Sequence, residues 1–132
     1  MLASDQYVLM PRGKRRLISR ILFDDFVVTH LNRERPVLNR WSSPFEGIAY
    51  SIHAGGGLVT LTGDHPLLLH LEEDVWQPAE SVVVGDVILG IYGYATVTGK
   101  QSLSFKGLMY NLSVAEDNSF CCGGICVHNG ER

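Results

Sequence analysis

Only three cysteines occur in the 132 residues, and all of them fall between Cys121 and Cys126. Thiols so close together cannot build a disulfide framework for a chain of this length, so a packed core must hold the fold and a reducing compartment is expected. Long apolar runs are also missing. The longest stretch without Asp, Glu, Lys or Arg runs from Gly47 to Gly63, and His53 and Gly55-Gly56-Gly57 interrupt it, which leaves no candidate membrane span. No charge of one sign dominates: 11 Lys and Arg against 14 Asp and Glu give a net charge of −3. The one dense basic run, Arg12-Gly13-Lys14-Arg15-Arg16, reads as a solvated turn rather than a nucleic-acid surface. No secretory leader is recognisable before the first periodic segment, and a monomeric cytoplasmic domain is expected. With 45% hydrophobic residues, the whole of 1–132 is long enough and apolar enough for one domain with its own core.

Helical periodicity is scarce, whereas short β-branched runs punctuated by glycine recur. They cover residues 7–10, 26–29, 47–52, 58–62, 66–69, 87–89, 95–97, 109–114 and 125–127, a pattern that predicts an all-β domain of many short strands. Turns are expected at residues 11–13, 54–57, 72–74 and 122–124, where Gly, Pro or clustered acidic residues gather. A single helical turn fits 78–81, residues 17–22 fit either a short helix or a strand, and the polar segment 32–44 reads as a surface excursion. The chain also resembles itself. A shift of 61 places Val8 over Leu69, Ile18 over Ala79, Ile21 over Val82, Asp24-Asp25 over Gly85-Asp86 and Val27-Val28 over Ile88-Leu89. Two related β units packed about a pseudo-two-fold axis are therefore expected.

Three local patterns carry chemistry. One is Thr62-Gly63-Asp64-His65-Pro66 at the end of an apolar strand; another is Trp76-Gln77-Pro78-Ala79 with Val82 to Val87, which looks structural. The last is Tyr110-Asn111-Leu112-Ser113-Val114, then Asn118-Ser119-Phe120, then Gly123-Gly124-Ile125-Cys126-Val127-His128-Asn129. Asn129 precedes Gly130, and an Asn side-chain nitrogen can attack its own main-chain carbonyl, closing a succinimide and releasing Gly130 as an amine. An amide nitrogen is a poor nucleophile and an amine a poor leaving group, so the step needs proton transfer and carbonyl polarisation. His128 is the nearest group able to supply them, and the fold must hold the Asn129 amide against its own carbonyl, with an imidazole beside the departing Gly130 nitrogen. Asn-Gly is equally an ordinary turn dipeptide prone to deamidation, by attack of the unhindered Gly130 nitrogen on the side chain. His30, His53 and His70 carry no motif and read as surface or packing residues.

In this order and at these separations the motifs resemble the Hint (Hedgehog/intein) superfamily, and within it a mini-intein or bacterial intein-like domain. The resemblance spans the chain from Met1-Leu2-Ala3-Ser4-Asp5 to His128-Asn129, and the short stretch between Asp86 and Lys106 leaves no room for a homing endonuclease. It implies a horseshoe-shaped, pseudo-two-fold all-β fold and autocatalytic protein splicing in the parent protein. Such chemistry needs no cofactor or metal, and its partner is the flanking extein or host polypeptide in cis, in a prokaryotic or phage host. Residues 130–132 then represent a downstream remnant. Thr62 and His65 match the pair that contacts the peptide bond preceding residue 1, where residue 1 attacks as a thiol or hydroxyl.

Four departures follow. Met1 stands where Cys or Ser is usual, as an initiator or engineered residue, and a thioether has no transferable proton, so the N-terminal acyl shift is lost. Gly130 cannot accept an acyl chain, so ligation is lost too. Asn111 and Asn118 occupy positions where the family often has Asp and His, and can assist by hydrogen bonding but not by moving a proton. Cys121, Cys122 and Cys126 lack paired zinc spacing and read as small buried residues. The expected activity is a single-turnover self-processing, with Asn129 cyclisation assisted by His128 as the step still open. A catalytically inert Hint-fold structural or interaction module is the alternative, and a Cys/His metal-binding module a weaker one.

Overall fold

The computed structural model describes residues 1–130, so the last two residues of the expected remnant, Glu131 and Arg132, lie outside the described residues. Among the described residues twelve strands form: β1 (Leu2–Ala3), β2 (Tyr7–Leu9), β3 (Arg15–Leu17), β4 (Phe26–Val28), β5 (Glu34–Ala54), β6 (Gly57–Thr62), β7 (Pro66–His70), β8 (Asp74–Pro78), β9 (Val87–Gly90), β10 (Gly93–Val114), β11 (Ser119–Cys122) and β12 (Ile125–His128). Single 3-10 turns occur at Pro11–Gly13, Ile18–Arg20 and Ala79–Ser81. Among the described residues no helix is long and apolar enough to cross a membrane.

The all-β expectation holds, with each apolar run on a strand, and residues 17–22 resolve into the end of β3 and a 3-10 turn. The segment 32–44 does not loop out. From Glu34 it belongs to β5, which pairs with β10 from Val37↔Val114 to Ala54↔Val97. Its polarity misleads because most side chains of these two long strands stay at least partly in solvent. Cross-strand backbone hydrogen bonds, which need no apolar face, carry the pairing instead.

The internal repeat is physical. β2, β3, the Ile18–Arg20 turn, β4 and β5 recur 61 residues later as β7, β8, the Ala79–Ser81 turn, β9 and β10. Side-chain contacts recur with them: the Asp25 carboxylate accepts the Leu22 N–H at 2.8 Å, and the Asp86 carboxylate accepts the Val83 N–H at 2.9 Å. The β5–β10 register maps onto itself, since shifting Glu46↔Lys106 by 61 gives Gly107↔Phe45, which is also a pair. That self-mapping is what a local two-fold axis between the long strands requires.

The core lies where the two units meet, and Ile18, Ala79, Ile21, Val82, Val27 and Ile88 are buried there in repeat-related pairs. Two elements position the chain ends. β1 lies between β10 and β6, with Leu2 opposite both Tyr110 and Leu61 and fully buried; burial of such a side chain stabilises by roughly 2 kcal/mol. β12 lies between β11 and β7, with Val127 opposite Phe120 and Leu67. The β11–β12 hairpin closes on Gly123 and Gly124, whose φ values of 62° and 86° give the type I′ geometry that suits right-twisted strands.

Candidate functional site

β1 delivers Met1 to the end of β6, where Thr62 stands. The residue 1 nitrogen lies 2.7 Å from Thr62 Oγ1 and 2.9 Å from His65 Nδ1; in a longer chain this amine would be the amide nitrogen of the bond to the preceding residue. Thr62 donates its hydroxyl proton to Asp64 Oδ1 at 2.7 Å, which holds that carboxyl below the usual carboxylate range. His65 is buried, and its Nε2 lies 2.7 Å from the backbone carbonyl of His128. A carbonyl only accepts, so Nε2 carries the proton and Nδ1 offers its lone pair to the residue 1 nitrogen. Burial, reinforced by the adjacent ammonium, pushes the His65 pKa down to about 3. Burial also lowers the Met1 amine to about 6, with Asp64 acting against it.

β12 continues into the other half. Asn129 is buried: its N–H donates to Asn118 O at 2.8 Å, and its Oδ1 accepts the Val114 N–H at 3.1 Å. His128 Nδ1 lies 2.8 Å from Asn129 O and, facing an acceptor, donates to it. The Gly130 N–H donates to Leu112 O at 2.9 Å, and Asn129 Nδ2 donates to Gly130 O at 2.7 Å. Every polar group around the Asn129–Gly130 bond is thus tied to a strand of the sheet or to its neighbour.

The geometry brings Met1, Thr62, His65, His128 and Asn129 together and corrects two expectations. The His128 imidazole sits on the carbonyl of the Asn129–Gly130 bond, not beside the departing nitrogen, because β10 already claims that N–H through Leu112. Asn118 is left-handed, with φ of 55°, and its side chain turns to Glu116 O; only its backbone carbonyl reaches Asn129. His30, expected as a surface or packing residue, packs beside the site. It bonds Ser119 Oγ at 2.6 Å, and Ser119 is the cross-strand partner of His128. Trp76, expected to be structural, meets His30 edge to face at 5.3 Å and His128 at 5.0 Å. Burial holds His30 below the ordinary imidazole value, opposed by Asp117.

Asn111 is buried against Gly130, with its Oδ1 accepting the Leu112 N–H at 3.0 Å. His53 is exposed, and His70 is an exposed partner of Asp74 at 2.9 Å. Cys121 and Cys126 face each other across the hairpin with sulfurs 3.2 Å apart, and all three cysteines are free and buried. Cys122, next along β11, points to the opposite face, so the three thiols do not converge with His128. Among the described residues no group of three or more His, Cys, Asp or Glu side chains is arranged to hold a metal. Sequence reasoning missed Asp64, although it lies inside the Thr62 to His65 motif; His30 carried no local signal, nor did Trp41, whose ring stands against residue 130.

No family model and no curated protein matches the chain. Solved structures do. The PabCDC21-1 intein superposes with a TM-score of 0.86 at 17% identity, over 98% of each chain. A DnaB intein from Synechocystis sp. PCC 6803 gives 0.85 at 15%, over 98% of each. The bacterial intein-like domain from Clostridium thermocellum gives 0.82 at 21%, over 97% of each. The chain therefore has the all-β Hint fold seen in inteins.

Proposed function

We propose that this Hint-fold chain is an autocatalytic, intein-like processing domain whose competent step is cyclisation of Asn129 with release of Gly130. The observation that carries the reading is His65, one buried imidazole hydrogen-bonded at once to the residue 1 nitrogen and to the His128 carbonyl. A structural histidine has no need to link the two ends of a chain at the same point. In the step, Asn129 Nδ2 leaves Gly130 O and turns onto its own carbonyl carbon, pivoting on the Oδ1 bond to Val114 N–H. The new C–N bond closes the succinimide, the Asn129–Gly130 bond breaks, and the proton lost by Nδ2 ends on the departing amine. His128 Nδ1–H already donates to the carbonyl oxygen where negative charge develops, and preorganised donors of this kind matter most in the transition state. The Gly130 N–H is held by Leu112 O, which disfavours deamidation because that nitrogen would have to swing onto the Asn129 side chain.

Thr62 and His65 hold the residue 1 nitrogen, the leaving group of an upstream cleavage, and Asp64 orients Thr62 by accepting its hydroxyl proton. Met1 has no proton to transfer and does not attack. The substrate is the flanking polypeptide in cis, the reaction is single-turnover, and no cofactor enters. Intact mass of the purified chain over time tests this: loss of Gly130-Glu131-Arg132, abolished by Asn129→Ala and slowed about a hundredfold by His128→Ala, is expected. An unchanged mass with Asn129 intact overturns it in favour of an inert Hint module.

A further inference from the structure

We propose that the space behind residue 130 admits glycine alone, and that Trp41 and Asn111 are the specificity-determining residues that make an Asn-Gly junction the one this domain cuts. The inference rests on the proposed cleavage and names its substrate class. Trp41 on β5 and Asn111 on β10 are register partners, and together they wall the site where a side chain at residue 130 would begin. A Cβ built on Gly130 falls 2.6 Å from Asn111 Cγ and 2.6 Å from Trp41 Cζ2, whereas carbon atoms in contact settle at about 3.5–4.0 Å.

Neither wall yields easily. The Asn111 side chain is buried and pinned through Oδ1 to the Leu112 N–H, and the bulky indole of its half-buried register partner Trp41 has to turn as a whole to make room. The residue 130 backbone is fixed from the same strand, by Gly130 N–H on Leu112 O. A Cβ at residue 130 enters either by turning Asn111 off the Leu112 N–H and displacing the Trp41 ring, or by drawing that backbone off Leu112, in which case the Asn129 carbonyl moves with it, away from His128 Nδ1. The hydroxyl or thiol of an acceptor residue would have to pass through the same volume. Cleavage without ligation is therefore built into the packing of β5 and β10, in addition to the missing nucleophile at residue 130.

The experiment uses the full chain with Gly130→Ala and Gly130→Ser, each alone and combined with Asn111→Ala or Trp41→Ala. Cleavage is followed by intact mass, and hydrogen exchange of the residue 130 amide is measured in an Asn129→Ala background that keeps the chain whole. We expect either substitution at Gly130 to slow cleavage about a hundredfold and to cut protection of that amide at least about tenfold. Asn111→Ala or Trp41→Ala should each restore part of the lost rate and protection, because the remaining wall still lies 2.6 Å from the added Cβ; two variants are used so that misfolding of one leaves the other. Native-like cleavage or native-like protection with a Cβ present overturns the proposal, as does failure of both wall variants to restore protection. Should the parent chain not cleave at all, amide protection still decides the pocket, so failure of the processing reading is told apart from failure of this one.

Discussion

Removing the His65 imidazole is the sharpest test that one side chain couples the two chain ends. The ring is buried and makes two hydrogen bonds, to the residue 1 nitrogen at 2.9 Å and to His128 O at 2.7 Å. His65→Ala orphans both partners, at about 1–3 kcal/mol each, and leaves a void worth about 1–2 kcal/mol more. Because the amine is only part-buried and regains some water, we expect a net loss of about 3–5 kcal/mol, a large share of the roughly 5–15 kcal/mol typical of a domain. Asparagine places a polar atom near the Nδ1 position and glutamine near Nε2, so each should return one bond and recover about 1–2 kcal/mol. Urea denaturation followed by the fluorescence of Trp41 and Trp76, in an Asn129→Ala background to prevent cleavage, measures all of these. A loss below about 1 kcal/mol for His65→Ala, or Asn and Gln variants no better than Ala, would refute the coupling.

The same groups set a pH dependence. His65 is depressed to about 3 and the Met1 amine to about 6, so the unfolded chain binds more protons than the folded one between those values and the ordinary ones. Stability is therefore complete above about pH 8, falls through the amine's range to about 6, and falls again from about 6.5 to about 3. Denaturation midpoints across this range should show both stages, with the lower one reduced but not abolished in His65→Leu, because the half-buried His30 also stays below its ordinary value; a flat profile contradicts the burial of these groups. Gly123→Ala should destabilise by about 3 kcal/mol or more, because it combines strain at a left-handed φ with a close approach to backbone: φ is 62° and the added Cβ would collide with Leu58 O. Thermal unfolding within a few degrees of the parent would be incompatible with that contact.

Strand after strand was readable from β-branched runs and glycine turns, because those signals act within a few residues and need no partner. The 61-residue repeat was readable as well: Asp25 and Asp86 cap equivalent turns, and a cap is a local device that leaves a local trace. The polar half of β5 was not readable, since its stability comes from pairing with β10, far along the chain. Asn129 before Gly130, beside His128, names a reaction from covalent structure alone, as does the thioether that bars Met1 from attack. Which atom each imidazole serves followed from packing: His65 reaching both ends, His128 on the carbonyl rather than the leaving nitrogen, His30 arriving through Ser119, and Trp41 closing on Gly130. These depend on distances between residues remote in sequence, and directional contacts of about 3 Å are set by strand register, which no single segment encodes.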